Sequence, residues 1–488
     1  MAPGILRAAG TSAPDGDECP IEHIVVLTME NRSFDHYFGS LTLDEGRTEV
    51  DGIVRDAGGA LPSNPWLGGD RLQMFNIQDT YCQRLDPPHE WESSRIQYAE
   101  GTNEGYLRAM QHHHNDPSEP DARQPGMENV MGYYTRPQLP FLYSAADEFT
   151  ICDRHFSPVG APTLPNRHYL HAATSGGLMD NRLDDQGTEG MGNPLNGFGF
   201  PTIYDRIDEA AASGATVGGR PLDWGVYYLE APFTMLYREP RTRHPERFKP
   251  FAAFFADLAL GTLPSYVTLD PGYFTASDHS PQHVQLGQIY MAAVYAALAS
   301  SGLWNKTALF ITYDEDGGFY DHVPHTFFPD ERASEDLDVD FSKSGGRLPS
   351  LIISPYARRR AVYRPSLPVD HTSILAFAEW RFGLAPLTMR DAAALAENRF
   401  FLEAFDFGAG PRAAPTLAVP AFEPGMLTDC GGTYVGPPPP HVPLPPITAG
   451  VEASDLLLHA ARAGVVPMAS RAEVESTLRR CASVARGL

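Results

Sequence analysis

Three observations predict an α/β fold, a mostly parallel central sheet flanked by helices and carrying long loop insertions. First, short continuous apolar runs recur along the chain: HIVVLTM (His23–Met29), YVTLD (Tyr266–Asp270), ALFITYDE (Ala308–Glu315) and LPSLIISPYA (Leu348–Ala357). Runs of that length without alternation mark strands buried on both faces, as in parallel sheets. Second, HVQLGQIYMAAVYAALASSGLW lies between the second and third runs with helical spacing of its apolar residues, and Gly302 supplies a stop. Strand, helix, strand is the repeating unit of a parallel sheet covered on both sides. Third, the chain has 488 residues with 42% hydrophobic content, enough for a substantial core.

The elements follow in order. Residues 1–20 read as a flexible lead-in, and the main body runs from 21 to 410. Its first strand is His23–Met29. Residues 40–130 and 176–260 are rich in Gly, Pro, Asn and Asp and read as insertions carrying loops over the sheet. DHTSILAFAEWRFGL (Asp370–Leu384) reads as a helix with Asp370 or Thr372 as N-cap. Residues 411–448 form a proline-rich linker, whose tract VGPPPPHVPLPP (Val435–Pro446) is extended and semi-rigid. Residues 449–488 read as two short helices broken near Pro467.

Composition excludes some function classes. The formal net charge is −24. A general nucleic-acid binder needs Lys and Arg for phosphate contacts, so an acidic chain argues against that partner. No apolar run has the length of a membrane span, and the N-terminus has no apolar stretch of signal-peptide length. This leaves a cytoplasmic protein, leaderless export or a mature exported form equally open. The five cysteines form no CxxC pair, which argues against zinc knuckles, and their odd number does not suggest a disulfide framework.

Ligands of open parallel sheets gather beyond the carboxyl ends of the strands. Glu30 and Asn31 end the first strand, and Asp314 and Glu315 end ALFITY. A lone acid pair at a strand end is ordinarily a solvated cap. Two such pairs, each after a fully apolar run, point to a metal site, and oxygen-only donors suit Ca²⁺, Mg²⁺ or Mn²⁺ better than Zn²⁺. In SPVGAPTLPNRHYLHAATSGG, Gly160, Pro162 and Pro165 impose an irregular loop, and a helix is expected to begin near Asn166. Thr163 would lie just before it, where exposed N–H groups favour an anion. On this segment alone a capping role is the simpler reading; beside a cation, the hydroxyl becomes a candidate nucleophile. His89 sits in the proline loop DPPHEW. Asp278 and His279 follow the YVTLD strand at the same rim. His112–His114 and Arg358–Arg360 read as solvated.

Four motifs in order, ENRSFDHYFG, APTLPNRHY, TYDEDGGFYDHV and LIISPYA followed by DHTS, resemble the bacterial phospholipase C and acid phosphatase family, which includes the plant non-specific phospholipases C. The resemblance covers roughly residues 20 to 390. It implies an alkaline-phosphatase-like fold and one divalent metal held by Glu30, Asn31, Asp314 and Glu315, with the Thr163 nucleophile as a further ligand. Catalysis and substrate binding fall to His279 and His89, with Asn166 also toward the substrate. Asp278, His322 and His371 form a second tier. Asp316 stands where many members carry His, and the adjacent histidine pair of the phosphatase branch is missing. The implied activity is a phospholipase C acting on a phospholipid or soluble phosphodiester through a phosphothreonine intermediate, with peripheral membrane contact. An acid phosphatase of the same fold is the alternative, and a non-enzymatic, toxin-like binding protein a second one.

Overall fold

The computed structural model describes residues 5–6, 16–78, 80–83, 85–115, 118–119, 122–181, 198–430, 453–462 and 464–487. Among the described residues nine strands form the central sheet: β1 (Ile5–Leu6), β2 (His23–Met29), β3 (Thr150–Cys152), β4 (Trp224–Tyr228), β5 (Phe248–Pro250), β6 (Tyr266–Asp270), β7 (Thr307–Tyr313), β8 (Leu351–Ile353) and β9 (Ala361–Tyr363). Their spatial order is β1-β9-β3-β8-β7-β2-β6-β4-β5. Every neighbouring pair is parallel except the two made by β8, which runs antiparallel to both β7 and β3.

The two longest strands, β2 and β7, lie side by side at the centre with His23 opposite Thr307 and Met29 opposite Tyr313. That register brings their carboxyl ends level, so Glu30 and Asp314 emerge together. Both strands are buried along their whole length, which explains why they read as unbroken apolar runs. The LPSLIISPYA run contributes only three residues to the sheet. The stretch read as a loop-rich insertion also supplies β4, a short aromatic run (WGVYY) buried throughout, and β5, three residues at the sheet edge (FKP).

Helices cover both faces. Val284–Ala299 (α3 below, numbering only the helices that bear on the site) is buried along nearly its whole length. The others are α1 (Trp91–Tyr98), α2 (Thr163–Ala172), α4 (Thr372–Phe382), α5 (Ala453–Arg462) and α6 (Arg471–Arg486). Two helix starts differ from expectation. α2 begins at Thr163 itself, with Pro162 as the flanking residue, because proline tolerates the position where an amide is not needed. α4 is flanked by His371, while the Asp370 carboxylate still accepts from the Thr372 N–H at 2.9 Å. The proline tract lies outside the described residues.

α6 packs against α3: Val474, Leu478, Cys481, Ala482 and Ala485 belong to the same buried cluster as Ile289, Tyr290 and Val294. α5 places Leu457 and Ala460 in a cluster with Leu164, Phe233 and Tyr273. The tail helices therefore close the apolar surface of the body. Cys82 and Cys430 form a disulfide across 348 residues of sequence, which corrects the expectation drawn from the odd cysteine count; Cys19, Cys152 and Cys481 are free and buried. Spacing alone carries no signal for a pair so far apart.

Leu478 is fully buried at the α3–α6 contact. Leu478→Ala should cost about 2–5 kcal/mol. A lowered urea midpoint at unchanged slope is the expected reading; a midpoint equal to wild type would place α6 outside the cooperative core.

Candidate functional site

The backbone at the β2 end turns sharply. Asn31 has φ of +60°, a left-handed conformation that asparagine tolerates better than most residues. The turn aims the Asn31 N–H at Asp314 Oδ1, 3.2 Å away, while Glu30 N donates to Ser277 O at 2.8 Å and Arg32 N to Glu315 O at 3.1 Å. Two strand ends and the loop after β6 are thus tied at one point. After β7 the chain wraps back on itself through Gly317, whose N–H donates to Glu315 Oε2 at 2.6 Å. A Cβ there would lie 2.3 Å from Asn31 O, so only glycine fits the approach. Arg32 is buried, donates to the Asp278 carbonyl and to Ser280 Oγ, and stacks 4.7 Å over the Phe319 ring.

Glu30, Asn31, Thr163, Asp314 and Glu315 are each at most 1% exposed. Four of their oxygens, Glu30 Oε1, Asn31 Oδ1, Thr163 Oγ1 and Glu315 Oε1, are buried with no hydrogen-bond partner. Buried acceptors are ordinarily satisfied, so such a set on two strand ends and a helix start fits the oxygen ligands of a hard cation. The Asp314 carboxylate accepts from Asn31 N, Glu315 N and Arg167 Nε. Burial first, and then the Asp314 charge, pushes Glu30 up to about 8. Burial likewise holds Glu315 well above the usual carboxylate range. A bound cation reverses both by favouring the ionised forms.

Arg167 is the residue that motif reading missed. It lies one turn after Thr163 on α2, so both project from the same helix face. Its Nε donates to Asp314 Oδ2 at 3.1 Å, its Nη2 lies 3.6 Å from Glu30 Oε1 and donates to Thr28 O, and its guanidinium stacks 4.9 Å from the Tyr273 ring centre. Their spacing of four in TLPNR was the available signal. Asn166 spends its amide on the preceding loop: Oδ1 accepts from Val159 N, and Nδ2 donates to Ala161 O at 2.6 Å and Pro162 O at 3.1 Å. It braces the segment that presents Thr163.

His89 and His279 come together from distant loops, ring centres 5.9 Å apart. His89 Nδ1 donates to Pro87 O at 2.7 Å, which turns Nε2 toward Asn31 Nδ2 at 3.3 Å and Glu315 Oε1 at 3.8 Å. His279 Nδ1 donates to Ser280 O at 2.6 Å, and Nε2 lies 3.8 Å from Asp86 Oδ2. Asp86, His89 and His279 are also close enough to share a metal ion. Nothing in the sequence signalled Asp86 as a partner of His279.

The second tier lies behind this front. The Asp278 carboxylate accepts from Tyr313 at 2.7 Å and Tyr37 at 3.2 Å, and burial raises it to about 6. His371 Nε2 donates to the Asp314 carbonyl at 2.8 Å, and its Nδ1 faces His155 Nε2 at 3.2 Å; burial holds it neutral, at about 4. His322 sits between Asp35, 2.7 Å away, and Asp51, 3.3 Å away. Asp35, Asp321 and His322 also have metal-like spacing, but Arg347 already occupies that position as the cation, 2.8 Å from Asp321 and 3.2 Å from Asp35. This group is an ion-pair network.

A model described as the phosphoesterase family matches residues 21–385. Non-specific phospholipase C1 of Arabidopsis thaliana is 35% identical over 420 residues, covering 81% of this chain and 74% of that protein. Non-specific phospholipase C4 of the same plant is 33% identical over 407 residues, 76% of this chain and 70% of that one. Phospholipase C A of Mycobacterium tuberculosis is 29% identical over 429 residues, 78% and 77% of the two chains. Among the described residues no helix is long and apolar enough to cross a membrane.

Two outcomes follow from the geometry. Elemental analysis should find about one divalent metal per chain, lost in Asp314→Ala; active protein without metal would contradict the site. Burial opposes a charge on His322, yet the Asp35 and Asp51 carboxylates raise it from 6.5 to about 10. Its contribution is therefore complete below about pH 6.5 and lost as pH rises through 10. Urea unfolding should show wild-type stability falling between pH 7 and 10 more steeply than that of His322→Gln.

Proposed function

Because the chain belongs to the phosphoesterase family and is a phosphoric-ester hydrolase, we propose that it is a metal-dependent phospholipase C, releasing a phosphorylated head group of the phosphocholine kind and diacylglycerol. The observation that carries this reading is that the Thr163 hydroxyl and one oxygen each of Glu30, Asn31 and Glu315 are buried without a hydrogen bond, while Arg167, one turn from Thr163, pairs with Asp314 and Glu30. The relatives named as phospholipases C support the substrate class.

Glu30, Asn31, Asp314, Glu315 and Thr163 would hold a divalent cation, with Ca²⁺, Mg²⁺ or Mn²⁺ favoured over Zn²⁺, which would supply a lowered pKa for the hydroxyl and an offset to phosphoryl charge. Thr163 Oγ1 attacks phosphorus, forming the Oγ–P bond as the bond from phosphorus to the glycerol oxygen breaks. Its proton passes to solvent. His279 Nε2 delivers a proton to the leaving oxygen, the Ser280 carbonyl orients that imidazole through Nδ1, and the nearby Asp86 carboxylate favours its protonated form. His89 Nε2 faces the phosphoryl oxygens, held in place by the Pro87 carbonyl. Arg167 fixes Asp314 and Glu30 beneath the nucleophile, and Asn166 fixes the loop that presents it. Water then cleaves the phosphothreonine, restoring the hydroxyl and freeing the phosphorylated head group.

The charge inventory favours a diester. A monoester brings about two negative charges near neutral pH and a diester one. The chain has three lysines and a net charge of −24, and the nearest guanidinium, Arg167, is engaged by two carboxylates.

Thr163→Ala should lower turnover by roughly three to six orders of magnitude, whereas Thr163→Ser keeps measurable activity. With phosphatidylcholine the products should be diacylglycerol and phosphocholine, and kcat/KM should exceed that for a matched monoester. Near-normal rates in the alanine variant would remove Thr163 from the mechanism. A monoester preference across pH 5–8 would make the protein a phosphatase.

A further inference from the structure

His89 and Thr163 reach the front on loops far apart in sequence, and α1 (Trp91–Tyr98) joins the two. His89 lies two residues before this helix. Gln97, near the far end of α1, is buried, and its Nε2 donates to Pro88 O at 2.6 Å, so the helix holds the proline loop that turns His89. The same carbonyl abuts the chain three residues after Glu315: a Cβ on Gly318 would lie 2.4 Å from it.

α1 also meets the loop that presents Thr163. Arg95 Nη1 donates at 2.7 Å to the carbonyl of Gly160, three residues before Thr163. A Cβ on Gly160 would lie 2.0 Å from Ser94 Oγ, so the loop backbone sits directly on the helix. Arg95 has three further acceptors: Trp91 O at 3.2 Å, Leu337 O at 3.1 Å and Asp340 O at 3.4 Å. Its guanidinium lies 3.4 Å over the Trp91 ring, whose Nε1 donates to Asp338 O at 2.8 Å. Segment 337–340 therefore backs the arginine while Gly160 faces it. All four of these acceptors are backbone carbonyls, so Arg95 fixes chain positions and not a titrating group. The planar fork of donors suits several fixed acceptors at once, which an ammonium does not.

We propose that Arg95 is a positioning residue for the reaction: by holding the Gly160 carbonyl on α1, it sets the Thr163 hydroxyl relative to His89 and to the phosphorus it attacks. Arg95 acts through the backbone and takes no part in bond making. The proposal rests on the phosphodiesterase reading and adds a part to its mechanism. A displacement of about 1 Å in such a loop is enough to lower turnover about a hundredfold.

Arg95→Met keeps an apolar stem on Trp91 and removes the donors. With p-nitrophenyl phosphocholine, its kcat should fall about a hundredfold while KM stays within about threefold. The same factor is expected with phenyl phosphocholine, whose leaving group is far more basic, because attack by Thr163 is impaired and protonation by His279 is not. Arg95→Lys keeps the charge without the fork and should still lose about tenfold or more in kcat; it carries the test if Arg95→Met fails to fold. Gly160→Ala pushes the same loop off Ser94 and should lower kcat alike. Its combination with either Arg95 variant should lose much less than the product of the single losses, since both changes release one contact. A purely structural role would lower the melting temperature of each variant and leave kcat of the folded protein as in wild type. Wild-type kcat in the Arg95 variants, losses that multiply, or a loss confined to KM or to the phenyl ester would overturn the assignment. If wild type turns over neither ester, the hydrolase reading fails instead. The placement is then decided by hydrogen–deuterium exchange over residues 159–164: faster exchange in the Arg95 variant supports it, and exchange equal to wild type overturns it.

Discussion

Three carboxylates lie buried at the ends of two neighbouring strands, with one guanidinium paired to two of them. Glu30, Asp314 and Glu315 are at most 1% exposed, and Arg167 is the arginine that pairs with two of them. An unpaired buried charge is costly enough that a protein ordinarily protonates it or pairs it. Here protonation would waste the arrangement, because the backbone goes to unusual lengths to create it. Asn31 adopts a left-handed turn, Gly317 allows two backbones to touch, and Arg32 ties the turn to the loop after β6. The local structure makes sense once a cation completes the charge balance. The proposed cation would also account for the oxygen that Thr163, Asn31, Glu30 and Glu315 each leave without a hydrogen bond.

The sheet delivers these groups. In-register pairing of β2 with β7 sets two strand ends level, and β6 on the other side of β2 sends its loop, with Asp278 and His279, over the same rim. Buried polar contacts behind the rim hold the parts in place. His371 fixes the Asp314 carbonyl, Asp278 locks onto two tyrosines, and the Asn166 amide fixes the loop before Thr163. Residues whose types suggest chemistry thus serve as supports, because a precise site needs its ligands held by neighbours that do not move.

Much of this was legible in the sequence, for a physical reason. β2 and β6 match their apolar runs residue for residue, since a strand buried on both faces has no other composition open to it. The strand-end acids were legible because polar groups directly after such runs have one place to go. Strands β4 and β5 were not, because β4 is a short aromatic run interrupted by Gly225 and β5, at the sheet edge, is only three residues long. Arg167 was hidden inside a motif whose threonine drew attention, and only the α2 register, starting at Thr163, aligns the two. The Asp86–His279 contact, the Cys82–Cys430 bridge and the packing of α6 on α3 join segments far apart in sequence, where local pattern carries no information.

The central claim is that one cation sits among the five strand-end and helix-start oxygens. Anomalous scattering from a crystal grown with Mn²⁺ tests it most directly. The account predicts a single peak enclosed by Glu30, Asn31, Thr163, Asp314 and Glu315. A peak held instead by Asp86, His89 and His279, or no peak in protein that hydrolyses phosphodiesters, would contradict it.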